Sequence, residues 1–274
     1  MKHVRIISPS GAINPEYIIL AKDRLESWGY RVSIGVHALN QNGRFAGTFE
    51  ERLEDLNDAF ADASVDVILC SRGGYGLQQI VDRIVLPTRP KEEWPLVVGF
   101  SDITILHALM NLYGVSSLHA PMCKALAILP EDAPALQGLR EALEQGPQFQ
   151  ETCVIGGNLS VLYGLQGTPY SLNNIIDQYA KPPVLLLEDI AERHYHVDRM
   201  LQNLRMSGVL SRVKAVLLGY FTDCNDDLDM GCTLKESISR IVLDSDCMLI
   251  EGIPSGHEDL NIPIYLGGGL LRQK

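Results

Sequence analysis

Two short apolar runs constrain this chain more than anything else in it. VDVILC (65–70) and LVVGF (96–100) are almost uninterrupted hydrophobic segments, each followed at once by a polar turn. A strand with no polar alternation is buried on both faces, which in a soluble protein means a parallel sheet covered by helices. The flanking segments complete the pattern. VRIIS (4–8) is rich in β-formers, and Asn14-Pro15 reads as an N-cap followed by proline at the first helical position. Ile18, Leu25 and Trp28 share one helical face, and Gly29 ends that helix. Val32, Ile34 and Val36 alternate as a strand, and residues 37–47 form a loop with Gly43 and Gly47. Thr48 and Glu51 are spaced as a capping box, and Leu53, Leu56 and Phe60 carry the apolar face onward. A helix over 103–112 and a strand over 115–119 follow. This repetition predicts an α/β fold with a doubly wound parallel sheet.

A helix near 134–145 then gives way to QGPQFQET, the best linker in the chain. The expected division is an N-terminal domain over 1–145, a linker over 146–150 and a C-terminal domain over 151–274. The second domain shows strands near 183–187 and 213–218 and helices near 197–206 and 233–244. Its strand order is not legible.

Charge narrows the partners. With 23 basic against 34 acidic side chains the net charge is −11, which repels nucleic acid and anionic membrane. No apolar stretch approaches the roughly 18 residues of a membrane span, and MKHVRIISPSG lacks the apolar core of a signal peptide. The six cysteines form no CxxC pair and no Cys/His group with zinc spacing, so reduced thiols in a cytoplasmic protein are expected, with no bound metal.

In an open parallel sheet, ligands bind beyond the carboxyl ends of the strands. Three unusual loops fall there: SPSGAI (8–13), SRGGYG (71–76) and GFSDIT (99–104). Ser101 lies between a buried strand and a helix start. It is either a nucleophile presented on a tight turn, with free N–H groups behind it, or a plain helix N-cap. The turn lacks the second glycine of GxSxG. SRGGYG either brings backbone N–H groups close to a ligand or is only a tight turn. Arg72 is either a carboxylate-binding residue or a surface arginine.

A serine nucleophile needs a base and a carboxylate to orient it. Of seven histidines, His3 and His37 lie near strand ends, His107 reads as structural, and His119 is a candidate support behind the site. His194 and His196 form HxH without a third ligand. His257 stands in a rigid polar turn, IPSGHEDLN, after the apolar run MLIEGI. For the carboxylate, Glu188 ends the apolar stretch of PPVLLLEDI, with Asp189 as its immediate competitor. Ser101, Glu188 and His257 thus fall at strand ends or rigid turns, the first in one domain and the others in the second, which points to a cleft between domains.

These segments resemble the LD-carboxypeptidase family of serine peptidases, which includes muramoyl-tetrapeptide carboxypeptidases and the microcin C self-immunity peptidases. The matching pieces are SPSG, RFAGTFEERLEDLN, RGGYG, GFSDIT, GGNLSVL, LLLEDI, VDRML and GIPSGHE, in family order. The resemblance implies a flavodoxin-like N-terminal domain and a smaller β-rich C-terminal domain. It assigns the nucleophile to Ser101, the carboxylate to Glu188 and the base to His257. The oxyanion donors would be the backbone N–H groups of Asp102 and Gly74, and Arg72, Gly73 and Asn158 would bind substrate. No cofactor is implied, and a homodimer is. The implied substrate is a cytoplasmic murein tetrapeptide losing its terminal D-Ala during cell-wall recycling. The other readings are a peptidyl- or aminoacyl-nucleotide amide as substrate, marked by an aromatic residue placed to stack on a purine, and a non-catalytic peptide-binding protein. One departure is visible. After His257 the family continues through a barrel-like strand segment where this chain has only NIPIYLGGGLLRQK, which implies a shortened or rearranged C-terminal edge.

Overall fold

The computed structural model describes residues 1–148 and 151–272. The expected parallel sheet is present: β1 (His3–Ile7), β2 (Arg31–Ile34), β3 (Val67–Cys70), β4 (Leu96–Gly99) and β5 (Ser117–His119) lie parallel in the order β5-β4-β3-β1-β2. Its strands are apolar on both faces. Val4, Ile6, Val67, Leu69 and Val98 pack under α1 (Pro15–Ser27), α4 (Cys123–Ile128) and α5 (Pro134–Gln145). Ile7, Ile68, Cys70 and Val97 point the other way, toward α2 (Phe49–Ala61) and α3 (Thr104–Leu112). The caps read in the sequence form as expected: Asn14 accepts from Glu16 N–H, and Thr48 and Glu51 close a reciprocal capping box. The alternation at Val36 does not extend the strand; β2 stops at Ile34, and Val36 is exposed. All six cysteines are free, and Cys70, Cys123, Cys153 and Cys247 are buried.

The second sheet is also parallel. It holds β6 (Val154–Asn158), β7 (Val184–Ile190), β8 (Ala215–Thr222) and β9 (Met248–Ile250) in that order. The helices of this half are α6 (Leu159–Gly164), α7 (Leu172–Ile176), α8 (His194–Met206) and α9 (Leu234–Leu243). β6 escapes a reading of sequence periodicity because two of its five residues are glycines. α8 starts three residues earlier than its apolar pattern suggests.

The two sheets share a core. Every residue of α3 from Thr104 to Asn111 is buried, which explains a helix apolar almost all round. Its side chains join one cluster with Ile155 of β6, Leu185 and Leu187 of β7 and Leu201 of α8.

The short tail after His257 closes both halves. β10 (Ile264–Leu266) pairs antiparallel with β5, with Ile264 opposite His119. Beyond it, Gly267 N–H donates to Val154 O at 2.8 Å, Ala180 N–H to Leu270 O at 2.8 Å and Arg272 N–H to Gln178 O at 2.8 Å. The C-terminal segment thus forms a strap, and residues 264–266 complete the first sheet although they follow the second in sequence. Residues 149–150 of the expected linker and 273–274 of the tail lie outside the described residues.

Gly156 shows how tightly β6 is seated. Its φ is +116°, and a Cβ there would run into the carbonyl oxygen of Leu186 on the neighbouring strand. Gly156→Ala is expected to lower stability by about 2–4 kcal/mol through strain and overpacking. A urea-denaturation midpoint equal to wild type would show that β6 can shift without loss.

Candidate active site

The loops after β1, β3, β4 and β5 gather at the carboxyl end of the first sheet. Ser101 is two residues past β4, and its φ is +66°, the left-handed conformation that a non-glycine residue adopts only under constraint, at a cost of about 1–3 kcal/mol. The constraint is visible. Gly73 of the RGGYG loop presses against it, since a Cβ at Gly73 would fall 2.7 Å from Ser101 Cβ and 2.8 Å from its Oγ. A single 3₁₀ turn, Ser101–Ile103, then leads into α3, and Ser101 caps nothing with its side chain. The N-cap alternative is thereby removed. Among the described residues, Ser101 Oγ makes no hydrogen bond and faces a cavity.

Two buried charges stitch the loops together. Asp102 is 2% exposed, and its Oδ2 accepts from Ser10 Oγ at 2.6 Å and from Leu77 N–H at 3.0 Å. Arg52, on the inner face of α2, donates from Nη1 to Pro9 O at 3.1 Å and to Gly76 O at 3.0 Å, and from Nη2 to Gln79 Oε1 at 2.8 Å. SPSG, RGGYG and the serine turn are thus one hydrogen-bonded unit. Neither side chain was singled out from the sequence. Arg52 had a signal: it lies four residues before Leu56 and eight before Phe60, on the apolar face of its helix. The Asp102 carboxylate had none, because only its backbone was considered.

The second domain brings a carboxylate and an imidazole to the same place. Glu188 is wholly buried within β7, two residues before its end, and His257 Nδ1 lies 2.8 Å from its Oε2. An ionised carboxylate only accepts, so Nδ1 carries the proton of this contact. Burial by itself would raise the Glu188 carboxyl. The imidazoles of His119 and His257 outweigh that, and Glu188 ionises below its ordinary 4.5. Phe100 packs edge-on to the His257 ring, 4.8 Å between centroids, and steadies it. The turn before His257 wraps the carboxylate closely: a Cβ at Gly256, whose φ is +134°, would fall 3.2 Å from Glu188 Oε2.

Neighbouring residues of a strand face opposite sides, which separates the two competing acids on β7. Asp189 turns away from His257. It accepts from Asn158 Nδ2 at 2.9 Å, from Ser160 N–H at 2.8 Å and from Ile190 N–H at 2.9 Å. Burial pushes its carboxyl up to about 6 in spite of these donors. Asn158, expected at the substrate, does not line the cavity. It is 3% exposed, caps α6 through Val161 N–H and holds Asp189. Its amide is spent on this buried corner.

The cavity between the domains has a volume of about 700 Å³. Ser101, His257, Arg72, Gly73 and Gly74 line it, together with Phe100 and Tyr17. Arg72 is exposed, and its Nη1 donates to Ala12 O at 2.6 Å. Lys124, which the sequence did not flag, adds a second cation to the wall, and Glu258 and Asp259 stand on the same rim. Trp28 and Trp94 line other clefts, so no tryptophan is placed to stack on a ligand here. The remaining histidines are engaged elsewhere. His3 meets Ser33 and Ser64, His37 faces Glu51 and Glu54, and His196 pairs with Glu192. His194 Nδ1 accepts from Asp227 N–H, and burial pushes His107 down to about 3.

A strained serine at a strand end, a buried carboxylate–imidazole pair and a shared cavity between two α/β domains define a serine-type hydrolase. Residues 4–120 match the model of the LD-carboxypeptidase N-terminal domain and residues 151–270 that of the C-terminal domain, and the chain belongs to this family of serine-type carboxypeptidases. A Synechocystis sp. relative named as a carboxypeptidase is 33% identical over 96% of this chain and 88% of its own length. The murein tetrapeptide carboxypeptidase of Pseudomonas aeruginosa is 29% identical over 93% of this chain and 87% of its own. Among solved structures, the muramoyltetrapeptide carboxypeptidase of Oxalobacter formigenes superposes with a TM-score of 0.81 at 26% identity, covering 97% of this chain and 93% of that one. The microcin C7 self-immunity protein MccF has the same fold, with a TM-score of 0.80 at 16% identity over 97% of this chain and 91% of that one.

The lowered Glu188 value has a definite sign. A carboxyl whose folded value lies below its unfolded one adds stability above the unfolded value and loses it as pH falls through the folded one. The stability gap between wild type and Glu188→Gln is therefore expected to be widest near neutrality and to narrow below about pH 4.5. Urea titrations across that range measure it, and a gap constant down to pH 3 would contradict the ionised, paired state.

Proposed function

We propose that this protein is an L,D-carboxypeptidase that removes the terminal D-Ala from murein tetrapeptides during cytoplasmic cell-wall recycling, acting as a homodimer. The observation that carries the reading is the His257–Glu188 pair, 2.8 Å apart, on the cavity that holds the strained Ser101. Family membership supports the reaction class, and the names of the Pseudomonas and Oxalobacter relatives support the peptide.

In this reading Ser101 Oγ attacks the carbonyl of the L,D-bond while His257 Nε2 takes its proton. Glu188 fixes the Nδ1–H tautomer and stabilises the imidazolium. His257 then gives the proton to the leaving D-Ala amine, and water releases the acyl-enzyme by the same route. The oxyanion meets the backbone N–H groups of Asp102 and Gly74, each worth about 3–4 kcal/mol to the transition state. Two facts support that pair. The Gly73 carbonyl is committed to Gly11 N–H at 3.1 Å, and across a trans peptide the Gly74 N–H points the opposite way. The Asp102 nitrogen lies 3.1 Å from where a Gly73 Cβ would stand, close beside the RGGYG loop. Arg72 and Lys124 supply the positive charge that a peptide's terminal carboxylate needs.

Mass spectrometry of the tetrapeptide incubated with wild type and with Ser101→Ala tests the assignment. Loss of one alanine is expected with wild type and a reduction of at least about 1,000-fold with the variant. Loss with both proteins would remove Ser101 from the role. Loss with neither, while a peptidyl-nucleotide amide is cleaved, would replace the murein substrate. Turnover of neither substrate would favour a peptide-binding protein. Lys124→Ala is expected to raise KM about two- to fivefold, the worth of an exposed ion pair. A peptide amidated at its C-terminus should erase that difference, and an unchanged KM for the free acid would take Lys124 out of carboxylate binding.

A further inference from the structure

Glu188 has two oxygens and only one is used. Oε2 accepts from His257, while Oε1 is buried with no hydrogen-bond partner. The atom facing it is Nε2 of His119, 3.9 Å away, which is itself buried and unpartnered. Two orphaned polar atoms, one on an anion and one able to carry a proton, face each other across that gap. Leaving either unpaired is unfavourable in a site with no exposure to water.

The other nitrogen of the ring indicates which tautomer is present. His119 Nδ1 lies 3.1 Å from Ser255 Oγ, and the next acceptor for that hydroxyl, Asn261 Oδ1, is farther at 3.4 Å and already accepts from Gly256 N–H. With Ser255 donating to Nδ1, the ring proton sits on Nε2, aimed at Glu188. The opposite tautomer would set a lone pair against a carboxylate. His119 cannot drift, since β5 is held between β4 and β10, with Gly99 and Ile264 as its register partners.

We propose that His119 is a positioning residue of this site: from the first domain, its Nε2–H holds the free oxygen of Glu188 and so keeps the other aimed at His257. The proposal rests on the catalytic reading above and extends it, because it makes one residue of the Ser101-bearing domain responsible for orienting the acid of the other. The titratable groups around the ring are Glu188 on β7, His257 beyond β9 and His107 on α3, whose ring centroid is 6.1 Å away. Ser255 and Phe100 complete its surroundings.

Histidine-labelled protein observed by nitrogen-15 NMR near neutral pH tests the contact without any substrate. The expected result is a neutral His119 ring protonated at Nε2, with a signal that moves in Glu188→Gln. A ring protonated at Nδ1, or a signal indifferent to Glu188, would overturn the proposal. Kinetics tests the role. His119→Phe is expected to lower kcat/KM about tenfold to a hundredfold, mostly in kcat, as for loss of a hydrogen bond to a charged group. Its acid limb should move to higher pH, because a Glu188 without that donor holds the His257 proton more strongly. His119→Gln keeps an N–H near the position of Nε2 and should recover part of the loss and return the limb toward wild type. A Phe variant with wild-type kcat/KM and limb, or a Gln variant as impaired as Phe, would reduce His119 to packing. If wild type releases no D-Ala, the catalytic reading fails, and the NMR tautomer still decides the contact.

Discussion

Glu188 is the residue around which the rest is arranged. A carboxylate with no exposure to water is tolerated only when it is paired, and here His257 pairs it while His119 of the other domain faces its second oxygen at 3.9 Å. One imidazole comes from the turn after β9 and the other from β5 of the first sheet. Close approach needs glycine: a Cβ at Gly219 would lie 3.1 Å from Glu188 Cβ, and one at Gly256 only 3.2 Å. The shared core around α3 and the strap of residues 264–272 keep the domains in the relation this meeting requires. Without them the carboxylate and the serine turn would belong to separate bodies.

The serine turn depends on a second set of buried charges. Ser101 is held in a left-handed conformation, and strain of that kind persists only where the surroundings over-determine it. Asp102, one residue on, is anchored to the loops after β1 and β3, and Arg52 ties the same two loops from α2. Gly73 supplies the space against the serine side chain. The strain leaves the hydroxyl free of protein partners at the mouth of the cavity, where an incoming peptide can meet it.

Much of this was legible in the residues. The apolar runs at 65–70 and 96–100 announced strands buried on both faces, and the capping box at Thr48 announced α2. Ser101, Glu188 and His257 could each be picked out by their place at a strand end or in a rigid turn. What stayed hidden has physical reasons. β6 is a strand made by its neighbours rather than by its own glycine-rich residues. Asn158 lay in a motif but turned inward, because a buried Asp189 needed its amide more than the cavity did. Lys124 sits in the first turn of a short helix, α4, with no pattern of its own, so nothing local showed that it faces the cleft.

By itself the sequence determined the fold class, the parallel first sheet and the identity of the residues able to do acid–base and nucleophilic chemistry, because those depend on side-chain type and short-range periodicity. Only the tertiary structure decided which carboxylate meets His257, since neighbouring residues of a strand face opposite sides and packing alone puts the imidazole on the side of Glu188. It also decided that a tail at the far end of the chain completes the first sheet beside His119. Strand register and long-range pairing are properties of the packed whole, and no local stretch of residues encodes them.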